Sequence, residues 1–378
     1  MNELRTLVNA KVEEAGGQKR LGYELAAIEV EKLLNDGDLK TSDFSIRGLY
    51  EALCDAPLGG DSQAVAEDLN SSAFPTIVSK VFHKDIIDEY ELALGNIGNL
   101  TRKAKATRTD EELVVGFTAG DNEPLLRRQG MAYEESDFGE KNWTCKMADF
   151  GRMISLTREV IYEDRTGEVM DRAKAIGKTA GQHKQKIIIQ TIEGGARTSF
   201  GEALSQAFIY KGTVMTVAQF YNATGHAAFD GQLNPNLKTT NALADYTDVD
   251  NVWQMFAGMV DEAGNKINIV PNSILIPPAL KAKAAKIFKG DLVLATTSVT
   301  DYNPINDLGG PLGINSSVYM ADSTSWYMGD FPSQLLELEV FPPETKTQGA
   351  DSELAFTNQI VARFRFAYHW GMCHTDWS

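Results

Sequence analysis

The stretch from Thr166 to Glu193, TGEVMDRAKAIGKTAGQHKQKIIIQTIE, constrains the fold more than any other part of the chain. Val169, Met170, Ala173, Ile176, Gly177, Ala180, Lys184, Ile187, Ile188 and Thr191 recur at three- and four-residue spacing, which marks one face of an α-helix. Thr166 reads as the N-cap, with Glu168 and Asp171 in the first turn, and Gly194–Gly195 as the stop. At 1.5 Å per residue the rod is roughly 40 Å long, more than a small domain needs. Ala173, Gly177, Ala180 and Gly181 leave its middle bare enough for a sheet or second helix to approach closely. Taken alone, the stretch reads as a long amphipathic core helix of a kind that α/β enzymes also contain.

A chain of 378 residues can bury a large core and form two or more structural units. Its hydrophobic content of 43% and charged content of 23% are ordinary for a soluble protein. No apolar run approaches the ~18 residues of a membrane span, so no membrane partner is expected. The first residues, MNELRTLVNAKVEEAGG, lack a signal peptide's apolar centre, which points to synthesis and residence in a cytosol. Cys54, Cys145 and Cys373 are far apart and form no CxxC, and disulfides are not expected in that compartment. His83, His183, His226, His369 and His374 make neither HExxH nor HxH, so no metal site is expected. Cys373–His374 reads as part of an exposed or packed tail. A net charge of −16 argues against gripping nucleic acid through its phosphates. It suits a wall along which nucleic acid moves without sticking.

Residues 1–73 read as a charged, mostly helical arm, with an apolar stripe over Leu21–Leu34 and a second helix starting near Thr41–Asp43. Pro57–Asn70 is a linker by composition. A helix follows in FPTIVSKVFHKDIIDEYELA, where His83 is a surface or packed histidine rather than a ligand. Strands are expected at Leu113–Phe117 and Trp143–Thr157, flanking FTAGDNEPLLRRQGMAYEESDFGEKN. A two-stranded excursion of this length gains little by folding as an isolated hairpin. It reads either as a loose surface loop or as a β-arm lying on a neighbouring subunit, with Arg127, Arg128, Glu134 and Glu135 in intersubunit contacts.

Beyond the rod, short strands are expected near Ala207–Tyr210 and Val214–Thr216, and a helix beginning near Thr247–Asp248. Asn268–Ile276 reads as a buried strand, and ALKAKAAKIFKG as a short helix opened by Pro278. With LVLATTSV they make a small α/β unit with a mixed sheet. Thr300–Ser317 is rich in Asn, Asp, Gly and Pro but lacks GK[ST] or GxGxxG, so it reads as a protruding loop rather than a phosphate cradle. Strands are expected at Val318–Met320, Ser325–Met328 and Leu335–Phe341. Gln359–Trp370 (QIVARFRFAYHW) alternates most clearly of all. Its Arg363 and Arg365 pair with acids of the long helix, contact a neighbour, or simply line a solvated edge.

Three stretches taken in order carry a family resemblance: residues 133–192 with the run FGR…ISLTREVIYED, residues 225–289 with the run IVPNSILIPPAL, and residues 335–370. The chain resembles the tailed-phage major capsid proteins of the Hong Kong 97-type fold, and most closely the Mu-like prophage major head subunits. That resemblance implies an α+β fold with an N-terminal arm (1–74) and an extended β loop (112–150). It implies a peripheral domain (75–111, 151–199 and 346–378) around the spine helix 166–193, and an axial domain (200–345). The axial loop 300–317, with Asn303 and Asp307 as contact candidates, would point to the capsomer's symmetry axis. Function would be structural: a head subunit, assembled in a host cytoplasm as pentamers and hexamers into an icosahedral virion shell around double-stranded DNA. The expected partners are further copies, with portal, scaffolding and decoration proteins. No catalytic residue, cofactor or metal is expected. Some relatives cross-link through Lys and Asn or lose an N-terminal segment, and no residue here is assigned to either step.

Two other readings use the same residues. An encapsulin-like compartment would share the fold and hold enzyme cargo instead of DNA. A cytosolic α/β enzyme would need an acid/base site, for which Glu134–Glu135 and Glu111–Glu112 are the available carboxylate pairs. Adjacent carboxylates in acidic loops are usually just solvated, and no nucleophile elbow or phosphate loop accompanies them.

Overall fold

The computed structural model describes residues 6, 10–11, 13–16, 19–36, 73–117, 126–130, 133, 140–163, 165–193, 208–210, 213–215, 221–227, 233–261, 264–289, 292–294, 300–302, 312–348 and 360–374. Helix α1 (Lys19–Asp36) is followed by α2 (Ala73–Leu94), a 3-10 turn, and strands β1 (Arg102–Lys105), β2 (Glu111–Phe117) and β3 (Glu140–Thr157). The short α3 (Arg158–Tyr162) leads into the rod, α4 (Thr166–Ile192). Strands β4 (Phe208–Tyr210), β5 (Thr213–Met215), β6 (His226–Ala227) and β7 (Leu233–Asn234) precede α5 (Tyr246–Gly258). Then come β8 (Ser273–Ile276), α6 (Lys281–Lys289), β9 (Leu292–Leu294), β10 (Thr300–Tyr302), β11 (Gly313–Ser316) and β12 (Tyr327–Gly329). A one-turn α7 (Phe331–Gln334) and the long strands β13 (Leu335–Gln348) and β14 (Ile360–His374) complete a mixed α+β architecture.

The largest sheet has the order β1-β13-β14-β3-β2, with β1 parallel to β13 and β2 antiparallel to β3. Glu111 stands opposite Lys146 in that antiparallel register, and their side chains form an ion pair of 3.0 Å. The chain divides into two units. Unit one comprises residues 1–95, 149–183 and 341–369, and unit two residues 96–148, 184–340 and 370–378.

In unit one α1 lies against α2, with Ala26 and Val30 of α1 fully buried. The bare middle of α4 is explained by α2. A Cβ on Gly181 would stand 2.5 Å from Tyr90 O, and one on Gly177 would run into Ile86 O, so both glycines admit the neighbouring backbone. Phe82 of α2 meets Phe364 of β14 edge-on at 4.7 Å. Tyr368 stacks on Phe150 and sits 3.4 Å from His183 Nδ1 through its hydroxyl. His83 Nδ1 lies 3.1 Å from Thr345 Oγ1, a packed histidine.

In unit two Ile187, Ile188, Ile189 and Ile192, in the last turns of α4, are completely buried. A second core gathers Ile274 and Ile276 of β8, Ala284, Ile287 and Phe288 of α6, and Leu243, Val249, Leu280 and Leu312. Its sheet is mixed, in the order β11-β8-β12, with β11 parallel and β12 antiparallel to β8. Helix α5 begins at Tyr246 because Asp245 and Asp248 form a reciprocal capping box. Asp245, two residues ahead of the expected start, is the true N-cap. Gly225 turns at φ 106 with Leu233 Cβ close by, a conformation that glycine alone adopts without strain.

Several expectations need correction. The buried strand expected at Asn268–Ile276 is confined to Ser273–Ile276, since Pro271 has no N–H for a ladder. Val318–Met320 is a turn with Val318 exposed, and the strand lies earlier, at Gly313–Ser316, where pairing to β8 outweighs the weak strand preference of GINS. The loop at 300–317 therefore has strands at both ends. Strand β14 runs through Cys373 and His374, which are buried in sheet rather than part of a tail. Cys145 and Cys373, 228 residues apart, form a disulfide. Against the expectation of free thiols, the adjacency of β3 and β14 brings their Cα atoms to 5.6 Å. The second helix of the arm and the Pro57–Asn70 linker lie outside the described residues.

Candidate functional site

Of the eight contact candidates, Arg127, Arg128, Arg363 and Arg365 fall among the described residues, while Glu134, Glu135, Asn303 and Asp307 lie outside them. Arg127 and Arg128 stand in the excursion between β2 and β3 and are exposed. Arg127 places its guanidinium 4.3 Å above the ring of Tyr133, and its Nη1 donates to the Tyr133 hydroxyl at 3.1 Å. Leu126 is 94% and Tyr133 77% exposed. A stacked Arg–Tyr pair stands beside a bare leucine, exposed apolar and aromatic surface of the kind that marks contact sites.

On β14 the alternation places Ala362, Phe364, Phe366 and Tyr368 in the core. Arg363 is half-buried, and its Nε finds no hydrogen-bond partner among the described residues. Arg365 Nη2 reaches Glu344 Oε1 at 4.0 Å, on β13 rather than on the long helix, which corrects one of the expected pairings. Because the pair is largely exposed, its contribution is at most about 1 kcal/mol. Arg127 and Arg365 belong to different units.

Features that the sequence reading missed lie in unit two. A cavity of about 830 Å³ is lined by Met255 and Phe256 of α5, by Met259 just after it, by Trp326, and by the carboxylates of Asp322 and Asp330. Asp322 accepts hydrogen bonds from Ser325 Oγ at 2.5 Å and Thr324 N at 3.0 Å, which hold its carboxyl below the usual range. Nearby, burial raises the Glu193 carboxyl, even though Ala321 N donates to it. Burial also pushes Tyr327 up to about 12 and Tyr221, whose hydroxyl donates to Ile192 O, well above its ordinary value. The available signal was the cluster of Trp326, Tyr327, Phe256 and two methionines, which at sequence level reads as ordinary core. Among the described residues no group of three His, Cys, Asp or Glu could hold a metal ion. No described helix is long and apolar enough to cross a membrane.

The family model described as phage capsid protein matches residues 143–377, more than half of the chain. The chain belongs to the phage capsid protein family. As a phage capsid protein it is a shell subunit of the virion. The capsid protein is similar to the capsid of a native GTA particle (11% identity, TM-score 0.46, covering 75% of this chain and 87% of that one). It is similar also to the capsid of Ralstonia phage GP4 (12%, 0.47, 73% and 83%) and to a virus-like particle from Pyrococcus furiosus (10%, 0.43, 79% and 96%). Likenesses this distant add no argument to the family match. No curated protein matches the capsid protein.

Proposed function

We propose that the chain is the major head subunit of a tailed phage, kin to the Mu-like head subunits, and that it self-assembles as pentamers and hexamers into an icosahedral shell around double-stranded DNA. Residues 1–74 form the N-terminal arm, 112–150 the extended loop and 200–345 the axial domain with its loop at 300–317. Residues 75–111, 151–199 and 346–378 form the peripheral domain around α4. Assembly takes place in the host cytoplasm, with scaffolding, portal and decoration proteins as partners, and the chain carries no catalytic site. Arg127, Arg128, Glu134, Glu135, Arg363, Arg365, Asn303 and Asp307 serve contacts between copies.

The observation that carries this reading is the loop bearing Leu126 and the Arg127–Tyr133 stack, which are exposed in the single chain. Apolar and aromatic surface of this kind gains its burial only on association. Size-exclusion chromatography and negative-stain microscopy of the purified chain test it. Capsomers or closed shells are expected, and a compact monomer or dimer at every concentration would overturn the reading.

A further inference from the structure

We propose that the cavity of unit two receives the loop tip of a second copy of the chain, Leu126 and Tyr133 entering among the methionines and aromatic rings while Arg127 and Arg128 meet Asp322 and Asp330. The proposal rests on the shell-subunit reading and names the contact that the loop makes. In the single chain Leu126 and Tyr133 are almost bare, so the tip is not seated in its own cavity. Tip and cavity match in three respects.

The first is size: about 830 Å³ lies within the roughly 300–1,000 Å³ of sites that enclose a ligand and holds several side chains. The second is surface. Met255, Phe256, Met259 and Trp326 offer an apolar lining, and methionine adapts its shape to an incoming leucine or ring. The third is charge. Asp322 and Asp330 against the single lysine of the lining, Lys238, leave the cavity acidic, while the tip carries two arginines. Both carboxylates are held in place, Asp322 by Thr324 and Ser325 and Asp330 by Asn272 Nδ2 at 2.6 Å. The stack on Tyr133 likewise fixes Arg127 before contact, which lowers the ordering cost of association.

The test replaces Tyr133 with a photo-reactive benzoylphenylalanine and mixes heavy-isotope with light copies before assembly. After irradiation of purified shells, mass spectrometry should find mixed heavy–light cross-links from position 133 to peptides containing Met255–Met259 or Asp322–Phe331. Cross-links to any other surface, or within one copy only, overturn the proposal. If that variant makes no shells, hydroxyl-radical footprinting of the unmodified chain decides. Oxidation of Met255 and Trp326, which are partly exposed in the single chain, should fall several-fold between dissociated subunits and shells, and unchanged oxidation overturns the proposal. Protection that survives Arg127→Glu/Arg128→Glu in assembled shells means that something other than the tip fills the cavity, and overturns it too. Absence of any particle from the unmodified chain would instead strike the shell-subunit reading.

Discussion

Lys184 Nζ lies 2.5 Å from Glu337 Oε1, with the lysine side chain 8% and the glutamate side chain 2% exposed. Thr101 Oγ1 donates to the other carboxylate oxygen at 3.1 Å, and the ammonium sits 4.9 Å above the Trp370 ring. The lysine on the buried face of the long helix thus has a buried acid to meet. Removing one partner of such a pair costs about 3–5 kcal/mol, whereas replacing both by apolar groups is often neutral. Glu337→Gln leaves a buried ammonium facing a neutral amide and should lower subunit stability by about that amount. Lys184→Met combined with Glu337→Leu should recover most of it. Urea unfolding of dissociated subunits measures both.

Gly177 admits the Ile86 carbonyl where a methyl group would stand. The substitution Gly177→Ala would gain up to about 1 kcal/mol of helix preference, but backbone cannot yield as a side-chain tip can. Forcing an extra carbon into a packed interface costs about 1–3 kcal/mol. Gly177→Ala should therefore be net destabilising. Gly167→Ala, on the same helix with nothing within 4 Å of its added Cβ, should be neutral or slightly stabilising. Thermal unfolding of the two variants side by side separates packing from propensity, and equal effects would refute the close-approach explanation.

These two sites show what the sequence could reveal. Periodicity picked out the face of α4 down to Lys184, because a 3.6-residue repeat sustained over seven turns has few other meanings. It also exposed the bare glycines, though not the helix that uses them. Glu337 carried no signal: LLELEV alternates as well with the glutamate outside as in, and only the arrival of Lys184 and Thr101 from distant sequence fixes it. Asp245 was overlooked as a cap because Thr247 and Asp248 are also good capping residues. The β11 strand was displaced because GINS is strand-like only beside β8. Of the contact candidates, Arg127 was legible as a charge in a core-poor excursion. Its stack on Tyr133 depends on a turn between them, at Gly130, that composition does not specify.

The Cys145–Cys373 disulfide joins two buried residues of a core shared with Met147, Leu336 and Leu338. In a reducing cytosol the pair stays as two thiols. Outside it, the thiols pass two electrons and two protons to a low-molecular-weight disulfide such as oxidised glutathione, and the staple closes. Alkylation under denaturing conditions should find both cysteines free in rapidly quenched cell extract and both blocked in particles kept in an oxidising buffer. Loss of such a staple costs about 2–5 kcal/mol, so reductant should lower the unfolding temperature of the wild-type chain and leave a Cys145→Ser variant unmoved. Free thiols in fully oxidised particles would refute the bond.

Tyr327 and Tyr221 both hold their protons above the ordinary tyrosine range, chiefly because burial penalises the phenolate; Tyr327 reaches about 12. In the unfolded chain both titrate near 10. Between those values the folded state binds more protons than the unfolded state, so stability falls as pH rises. The contribution is fully present below about pH 10 and fades above it. Denaturant unfolding across that range should show a midpoint that declines with pH. Tyr327→Phe removes one phenol from the comparison and should flatten the decline, with little loss of stability near neutral pH, because that hydroxyl makes no hydrogen bond among the described residues. The Tyr221 hydroxyl, by contrast, donates to Ile192 O at the end of α4. Tyr221→Phe should flatten the alkaline decline and also cost about 1 kcal/mol at neutral pH, the net worth of a typical hydrogen bond. If both variants keep the wild-type slope, the alkaline loss has another source.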